Sequence, residues 1–297
     1  MSTREVTLGI VQHASQHEKA KNVARVSAGI RDAASRGASL IVLPELFASD
    51  YFCQTEDPNH FDLAEYLDGP TVMAIAALAR ELHVEIVTPI FEKRARGLYH
   101  NSLVVIGDDG TSLGMYRKMH IPEDPQFCEK FYFTPGDLGF TPIQTKGANL
   151  GALICWDQWF PEAARAMALA GAEILVYPTA IGWMPSEKEA LGAAQLDAWR
   201  TIQRSHAIAN GTFVVAANRV GKESSSAGEL EFWGHSFVCD PSGRVIAEAG
   251  EGEEVLVVSL DLNAIDEQRR WWPFFRDRRI DAYDGLSERW LGSAKGP

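Results

Sequence analysis

The sequence predicts an α/β fold in which helices cover buried β-sheets. Short apolar runs alternate along the chain with stretches of helical periodicity, which is the pattern of layered sheets and helices. The strongly apolar character of these runs indicates strands that are buried on both faces. Turn sequences at residues 108–110 (Asp-Asp-Gly) and 240–243 (Asp-Pro-Ser-Gly) predict hairpins, so several strand pairs should be antiparallel.

The individual elements follow from these patterns in chain order. The first helix ends at Gly37, a residue suited to helix ends, and Pro161 opens a later helix because its missing N–H has no partner in a first turn. A polar stretch at residues 223–229 predicts a mobile surface loop. The predicted strands are 6–11, 40–43, 85–91, 102–106, 150–155, 174–177, 214–217 and 236–239, and the predicted helices are 20–36, 71–82, 161–170 and 196–210.

The chain length and composition indicate one domain spanning residues 1–297. A chain of 297 residues that is 46% hydrophobic can bury a large core, and no Pro/Ser-rich linker or short-period repeat divides it. A basic, aromatic segment at about residues 264–297 is expected to pack at a subunit interface, where Arg and aromatic residues are enriched.

Charge and cysteine usage exclude several classes of function. A net charge of -12 disfavours binding to nucleic acid or to anionic membranes. The four cysteines are scattered, without disulfide or zinc spacing, and the eight histidines show no ligand pattern, so we expect no metal and no cofactor. The absence of a signal peptide pattern and of a bilayer-spanning apolar stretch favours a soluble protein in the reducing cytoplasm.

Cys155 is the strongest candidate for a catalytic residue. It ends an apolar run, Leu150 to Ile154, and a polar and aromatic corner leads from it to Pro161. A strand-to-helix corner presents a side chain at the rim of a sheet, where a nucleophile is needed. Backbone N–H groups at the corner would hold an oxyanion and lower the pKa of the thiol. The alternative is an inert buried cysteine, a common fate of free thiols.

Two further segments place a reactive side chain at the end of a strand. Glu45 follows an apolar run and lies between hydrophobic neighbours, so it should be partly desolvated and suited to general-base catalysis. Lys118 offers a positive charge for a developing oxyanion. In isolation, a solvated charge is the commoner role for each residue. Together a thiol, a carboxylate and an ammonium form a workable catalytic set.

Two other sets of residues are weaker candidates for a catalytic site. The run from Gly234 through Ser236 begins like a serine-hydrolase elbow but lacks the second glycine. His206 and Asn210 resemble part of a Cys-His-Asn set, but they lie one helical turn apart, which favours a structural role.

The chain resembles the nitrilase superfamily of carbon–nitrogen hydrolases over about residues 6–284. The resemblance rests on four segments in register and on further stretches around them: Pro44-Glu45, Tyr116-Arg117-Lys118-Met119-His120, Phe127-Cys128-Glu129-Lys130-Phe131, and Ile154-Cys155-Trp156-Asp157. It implies a four-layer α-β-β-α sandwich, at least a homodimer, and a Glu45–Lys118–Cys155 triad in which Glu129 buttresses Lys118 and the N–H of Trp156 helps to bind the oxyanion.

The resemblance also implies thiol-dependent hydrolysis of a carbamoyl amine, with N-carbamoylputrescine in polyamine synthesis as the favoured substrate. Met184 stands where several family members have a glutamate for the distal ammonium, so the candidates for substrate binding are Asp50, Tyr51, Glu187 and Glu189. Two alternatives remain open: a β-ureidopropionase-like hydrolase, whose substrate ends in a carboxylate, and a non-catalytic binding or scaffold protein.

Overall fold

Two six-stranded β-sheets form the middle of the protein, and a three-stranded sheet lies beside them. The computed structural model describes residues 4–292. In chain order the strands are β1 (Glu5–Gln12), β2 (Leu40–Val42), β3 (Glu85–Ala95), β4 (Leu98–Ile106), β5 (Ser112–Arg117), β6 (Ile143–Gln144), β7 (Asn149–Ala152), β8 (Ile174–Pro178), β9 (Gly182–Trp183), β10 (Phe213–Ala217), β11 (Val220–Ser225), β12 (Gly228–Trp233), β13 (Phe237–Cys239), β14 (Val245–Glu248) and β15 (Glu254–Asp261). The helices are α1 (Lys19–Ser35), α2 (Pro70–Leu82), α3 (Glu129–Tyr132), α4 (Pro161–Leu169), α5 (Pro185–Asn210) and α6 (Asn263–Trp271).

Each large sheet is parallel at its centre and antiparallel at its margins. The first has the order β15-β1-β2-β3-β4-β5, with β1, β2 and β3 parallel. The second has the order β14-β13-β10-β8-β7-β6, with β7, β8 and β10 parallel. Because β3, β4 and β5 alternate in direction, β2 and β5 end at the same edge of the first sheet. That edge therefore receives the side chains that follow both strands.

The buried side chains confirm the predicted α-β-β-α layering. Leu8 and Ile10 of the first sheet share one buried cluster with Leu175 of the second sheet. On the opposite face of the first sheet, Ile41 packs with α1 and α2. Helices α4 and α5 cover the second sheet, and the fully buried Trp199 anchors α5 there. The two sheets thus face each other, with a helical layer on each outer side.

The last predicted helix is longer in the structure than the sequence indicated. Its start was predicted at residue 196, but α5 begins at Pro185 and runs for 26 residues. Its first three turns consist mainly of polar and small residues that are largely exposed, so they lack the apolar periodicity that the prediction needed. Within residues 4–292, no helix combines the length and apolar character that a bilayer crossing requires.

The prediction of a mobile loop at residues 223–229 is wrong. These residues belong to the hairpin of β11 and β12, which also pairs with β9. Leu230 and Phe232 of this hairpin are buried, and the alternate positions Glu229 and Glu231 are more exposed. Packing of that apolar face stabilises strands in a stretch whose composition is typical of loops.

His13 makes folding stability depend on pH. The residue follows β1 and is 2% exposed, and burial, aided by the charge of Arg219, lowers its pKa to about 4. A depressed histidine pKa stabilises the fold fully above the unfolded value of 6.5, and that contribution is lost as the pH falls toward 4. We expect wild type to lose about 2 kcal/mol of unfolding free energy between about pH 7 and pH 4.5 from this group alone.

Urea denaturation at both pH values checks this expectation. Carboxylates also titrate in this window, so the comparison is with His13→Gln, whose loss of stability between the two pH values should be smaller by that amount. His17→Gln is the matched control because the side chain of His17 is 98% exposed. Equal pH dependence in wild type and His13→Gln would contradict the assignment.

Candidate active site

Cys155 lies at a strained turn just beyond the second sheet. The chain leaves β7 at Ala152, and Cys155 begins a short 3-10 turn, Cys155–Trp159, that leads into α4. The φ angle of Cys155 is 42°, in the left-handed region that non-glycine residues rarely adopt. Such strain concentrates at functional sites, where the surrounding structure holds it in place. The predicted strand 150–155 is therefore shorter than expected, and the thiol sits on the turn itself.

Asp157 joins this turn to the segment that carries Lys118. Its buried carboxylate accepts a hydrogen bond from Ile154 N at 3.0 Å, which closes the turn. It also accepts from Tyr116 Oη at 2.9 Å and from His120 N at 3.0 Å, while His120 Nδ1 lies at 2.7 Å. Lys118 lies between Tyr116 and His120 in sequence. The carboxylate thereby holds the end of β5 against the cysteine turn.

Lys118 is fully buried between two carboxylates. Its Nζ donates to Glu45 Oε1 at 2.8 Å and to Glu129 Oε2 at 2.6 Å. Burial alone would lower the pKa of Lys118, but the charges of Glu129 and Glu45 outweigh it and raise the pKa well above its usual range. The side chain is therefore an ammonium ion in the resting protein. A fixed charge of this kind can stabilise a developing oxyanion without reorganisation.

The two carboxylate oxygens of Glu45 differ in their hydrogen bonds. Its Oε1 accepts from Lys118 and from Asn101 Nδ2, the latter at 2.7 Å. Its Oε2 is buried and has no hydrogen-bond partner among the described residues. Buried carboxylate oxygens are normally satisfied, so an unpaired one points to a ligand or a proton that arrives during the reaction.

The Cys155 thiol is neutral in the resting site. Burial raises its pKa well above the usual range, the negative charge of Glu45 adds to this effect, and Lys118 only partly opposes it. The sequence-based expectation of a lowered thiol pKa is therefore wrong in its net direction, because burial outweighs the neighbouring positive charge. The thiol then needs a base to become a nucleophile.

Glu129 is held by a residue that the sequence suggested for substrate binding. Tyr51 Oη donates to Glu129 Oε1 at 2.7 Å, and Tyr51 N donates to Glu223 Oε2 at 2.5 Å. Glu223 in turn accepts from the buried Arg219 at 3.1 Å. Burial raises the pKa of Glu129 to about 7. Tyr51 is 1% exposed, so it positions Glu129 from behind the site.

A cavity of about 420 Å³ opens above these residues. The buried Cys155 and Glu129 form its floor, aromatic and apolar side chains form most of its wall, and two further acidic side chains, Asp124 and Glu187, belong to the lining and are less buried. The lining comprises Pro122, Asp124, Pro125, Phe127, Glu129, Cys155, Trp156, Trp159, Ala180, Ile181, Gly182, Met184, Glu187, Gln195, Ala198 and Trp233. No arginine or lysine is among these lining residues, all of which belong to the described part of the chain.

The substrate-binding candidates separate in the structure. Glu187 lines the cavity that contains Cys155, and Trp156 does so too. Asp50 instead lines a different cavity, where its carboxylate lies 3.4 Å from His17 Nδ1. Glu189 is exposed and is not part of the lining. Of the four candidates, the structure brings Glu187 alone to the lining of the cavity above Cys155.

Asn101 is a supporting residue that the sequence reading missed. It lies on β4, its side chain holds Glu45, and its carbonyl oxygen accepts from Lys118 N at 2.8 Å. A signal was present in the sequence, because His100, Asn101 and Ser102 form a polar run inside a strand whose other residues are apolar. All three are buried, and buried polar residues in a strand indicate a site or a network.

One cluster within residues 4–292 has the spacing of metal ligands. Potential ligand atoms of Glu56, Glu123 and Cys128 all lie within 4.8 Å of one another. Both carboxylates are exposed, and exposed acidic groups commonly approach one another without a metal. None of the three lines the cavity above Cys155. The expectation that the protein needs no metal or cofactor stays a prediction.

The chain is similar in sequence and in overall structure to known carbon–nitrogen hydrolases. The family model for carbon-nitrogen hydrolases matches residues 7–270. An N-carbamoylputrescine amidase of Solanum tuberosum is 47% identical, with 95% of each chain covered. A citrullinase of Francisella tularensis is 40% identical, covering 96% of this chain and 99% of that one. The crystal structure of a carbon-nitrogen hydrolase from Helicobacter pylori G27 matches with a TM-score of 0.94 and 48% identity, over 97% of this chain and all of the other.

Proposed function

The chain belongs to the carbon–nitrogen hydrolases of the nitrilase superfamily, and we propose that it hydrolyses N-carbamoylputrescine with Cys155 as the nucleophile. It is an amidohydrolase that acts on C–N bonds other than peptide bonds. The products of the proposed reaction are putrescine, ammonia and carbon dioxide, which is a step of polyamine synthesis. The observation that carries the proposal is the unpaired Glu45 Oε2 beside an ammonium and a neutral thiol in one buried cluster.

The proposed reaction begins with proton transfer. Glu45 Oε2 takes the proton of the Cys155 thiol, and the thiolate attacks the carbamoyl carbon. Lys118 Nζ and the N–H of Trp156 bind the oxyanion that forms. When the tetrahedral intermediate collapses, the C–N bond breaks and Glu45 gives its proton to the leaving nitrogen. The remaining group stays attached to sulfur as a thioester-like intermediate.

Water completes the reaction. Glu45 accepts a proton from a water molecule, whose oxygen attacks the carbon of the thioester-like intermediate, and the C–S bond then breaks. The Cys155 thiol recovers its proton, and the released carbamic acid decomposes to carbon dioxide and the second nitrogen product. Glu129 holds Lys118 in place through both half-reactions and lines the cavity, so its carboxylate is available to the substrate amide.

The cavity lining favours a substrate with a positive far end. The acidic side chains of Asp124 and Glu187 line it, and no arginine or lysine does within the described residues. A β-ureidopropionase-like substrate ends in a carboxylate, which would meet like charge and no cation there. Citrulline carries a carboxylate as well as an ammonium, so one of its two charges would also lack a partner.

Ammonia release from a panel of carbamoyl compounds tests the proposal. We expect kcat/KM for N-carbamoylputrescine to exceed that for N-carbamoyl-β-alanine and for citrulline by at least about 100-fold, because the other two place a carboxylate among acidic groups. A higher kcat/KM for N-carbamoyl-β-alanine would contradict the substrate assignment. A protein that releases no ammonia from any of the three would contradict the carbamoyl substrate class.

We also propose that the protein is a cytoplasmic homodimer or higher homo-oligomer built as one domain over residues 1–297. The segment of about residues 264–297 is the proposed interface, although residues 293–297 lie outside the described part of the chain. Large apolar side chains of this segment support the proposal: Trp271 and Trp290 are each 79% exposed, and Leu291 is 74% exposed. Exposed apolar groups of this size are typical of protein contacts.

A further inference from the structure

We propose that Glu187 and Gln195, two side chains of α5, form the subsite that receives the distal ammonium of the carbamoyl amine. This inference rests on the proposed function and specifies the substrate class as carbamoyl derivatives of α,ω-diamines. Both residues line the cavity above Cys155. They lie about two helical turns apart, and their long side chains meet within the cavity wall.

The pair places a carboxylate and an unpaired amide oxygen in the cavity wall. Gln195 Nε2 donates to Glu187 Oε2 at 3.0 Å, which fixes the orientation of both groups. Gln195 Oε1 then faces away from that bond, and it is buried without a hydrogen-bond partner among the described residues. A buried acceptor beside a carboxylate is satisfied by a donor that carries positive charge. A primary ammonium has three N–H groups and can donate to both residues at once.

The neighbouring cation of the chain does not neutralise Glu187. Lys188 follows it directly, but the Nζ of Lys188 lies 2.7 Å from Glu231 Oε1 and 4.5 Å from the ring centre of Trp183. No ion pair of Glu187 occurs among the described residues. The carboxylate therefore contributes an uncompensated negative charge to a mostly apolar cavity, where charge is screened less than in water.

The other acidic groups are weaker candidates. Asp124 lines the cavity but is exposed, so water and salt screen its charge. Glu189 is exposed and lies outside the lining. Met184, at the position of the missing glutamate, lines the cavity as an apolar side chain. It contacts a methylene chain better than a cation.

The wall between the two ends suits a hydrocarbon spacer. Trp156, Trp159, Ile181 and Trp233 line the cavity together with Met184. Their apolar surfaces bury the methylene groups of a diamine. The indole N–H groups of Trp159 and Trp233 are buried without a partner among the described residues, but they are neutral donors and supply no positive charge for a carboxylate. An apolar channel with a carbamoyl-reactive floor and a carboxylate–amide pair matches a carbamoylated diamine.

A pair of substrates that differ only at the far end tests the inference. N-carbamoylputrescine ends in an ammonium, and n-pentylurea has the same length with a methyl group in its place. The measured quantity is kcat/KM for N-carbamoylputrescine divided by kcat/KM for n-pentylurea. We expect Glu187→Gln to lower this ratio about 30-fold, because the side chain keeps its shape but loses its charge. Gln195→Leu should lower it about fivefold, by loss of one acceptor.

Glu189→Gln is the matched control, since it removes the same charge from the same helix outside the cavity. Its ratio should stay within about twofold of wild type. A Glu187→Gln ratio equal to wild type would overturn the inference while leaving the hydrolase assignment intact. An equal fall of this ratio in Glu189→Gln would also overturn the inference, because the effect would then come from the total charge of α5 and not from a group in the cavity.

Binding of putrescine separates failure of the inference from failure of the proposed function. Calorimetry with putrescine needs no turnover. It therefore tests the subsite even if the wild-type protein hydrolyses neither N-carbamoylputrescine nor n-pentylurea. A dissociation constant raised about 30-fold in Glu187→Gln but not in Glu189→Gln would support the subsite. Equal putrescine binding by wild type and Glu187→Gln would overturn it.

Discussion

Replacement of Cys155 by alanine is expected to abolish ammonia release from N-carbamoylputrescine, lowering kcat/KM by at least about 10,000-fold. No other side chain at the cavity floor can attack a carbamoyl carbon in the way the thiolate does, because the neighbouring groups are carboxylates and an ammonium. The fold should survive, since the variant loses one sulfur atom and keeps its backbone, at a cost of about 1 kcal/mol. Ammonia assays and urea denaturation measure the two effects.

Cys239→Ala is the control for the loss of a buried thiol. Cys239 lies on β13, is fully buried, and is not part of the cavity lining. This variant should keep wild-type turnover and lose a comparable amount of stability. Appreciable hydrolysis by Cys155→Ala, with Cys239→Ala unaffected, would contradict the assignment of Cys155 as the nucleophile.

Replacement of Lys118 by methionine is expected to damage both activity and folding. The variant would leave Glu45 and Glu129 buried without the ammonium that both contact. Removing one partner of a buried ion pair costs about 3–5 kcal/mol of unfolding free energy, because the remaining charge is uncompensated. Loss of the oxyanion partner should lower kcat/KM about 1,000-fold. Urea denaturation and ammonia release measure the two effects.

Two further variants test whether the stability loss comes from the buried carboxylates that Lys118→Met leaves without a partner. Lys146→Met removes a lysine whose side chain is 72% exposed in its ion pair with Asp108, and it should cost less than about 1 kcal/mol. The double variant Lys118→Met with Glu129→Gln removes one of the stranded carboxylates, so it should recover part of the lost stability but none of the activity. A Lys118→Met protein as stable as wild type would contradict the buried ion-pair cluster.

The catalytic candidates could be identified from the sequence because Glu45 and Cys155 lie at the ends of predicted strands and because all three residues lie in segments that resemble the family's motifs. Glu45 and Lys118 come after apolar or alternating runs, and strands that end at one edge of a sheet bring such residues together. The layered fold was predictable for the same reason. Alternation of buried strands and amphipathic helices leaves few ways to cover both faces of a sheet.

The supporting residues were harder to identify because their roles depend on how distant segments meet. Asp50 and Tyr51 are adjacent in sequence and both line a cavity separate from the one above Cys155, yet only Tyr51 reaches the site, where its hydroxyl donates to Glu129. The direction of a side chain in a loop is set by tertiary contacts, here the bond from Tyr51 N to Glu223. Glu223 itself lies in a hairpin whose composition resembles a loop, so no local pattern indicated the link.

Cys155 and its two partners come from different sheets, so the three side chains meet only when both sheets have formed and packed together. The acid and the ammonium follow strands of the first sheet, while the sulfur follows β7 of the second. A newly made chain in which only one sheet has formed would carry an ordinary thiol with no base beside it. The three side chains therefore come together only in the completed molecule, so an incomplete chain is not expected to hydrolyse amides.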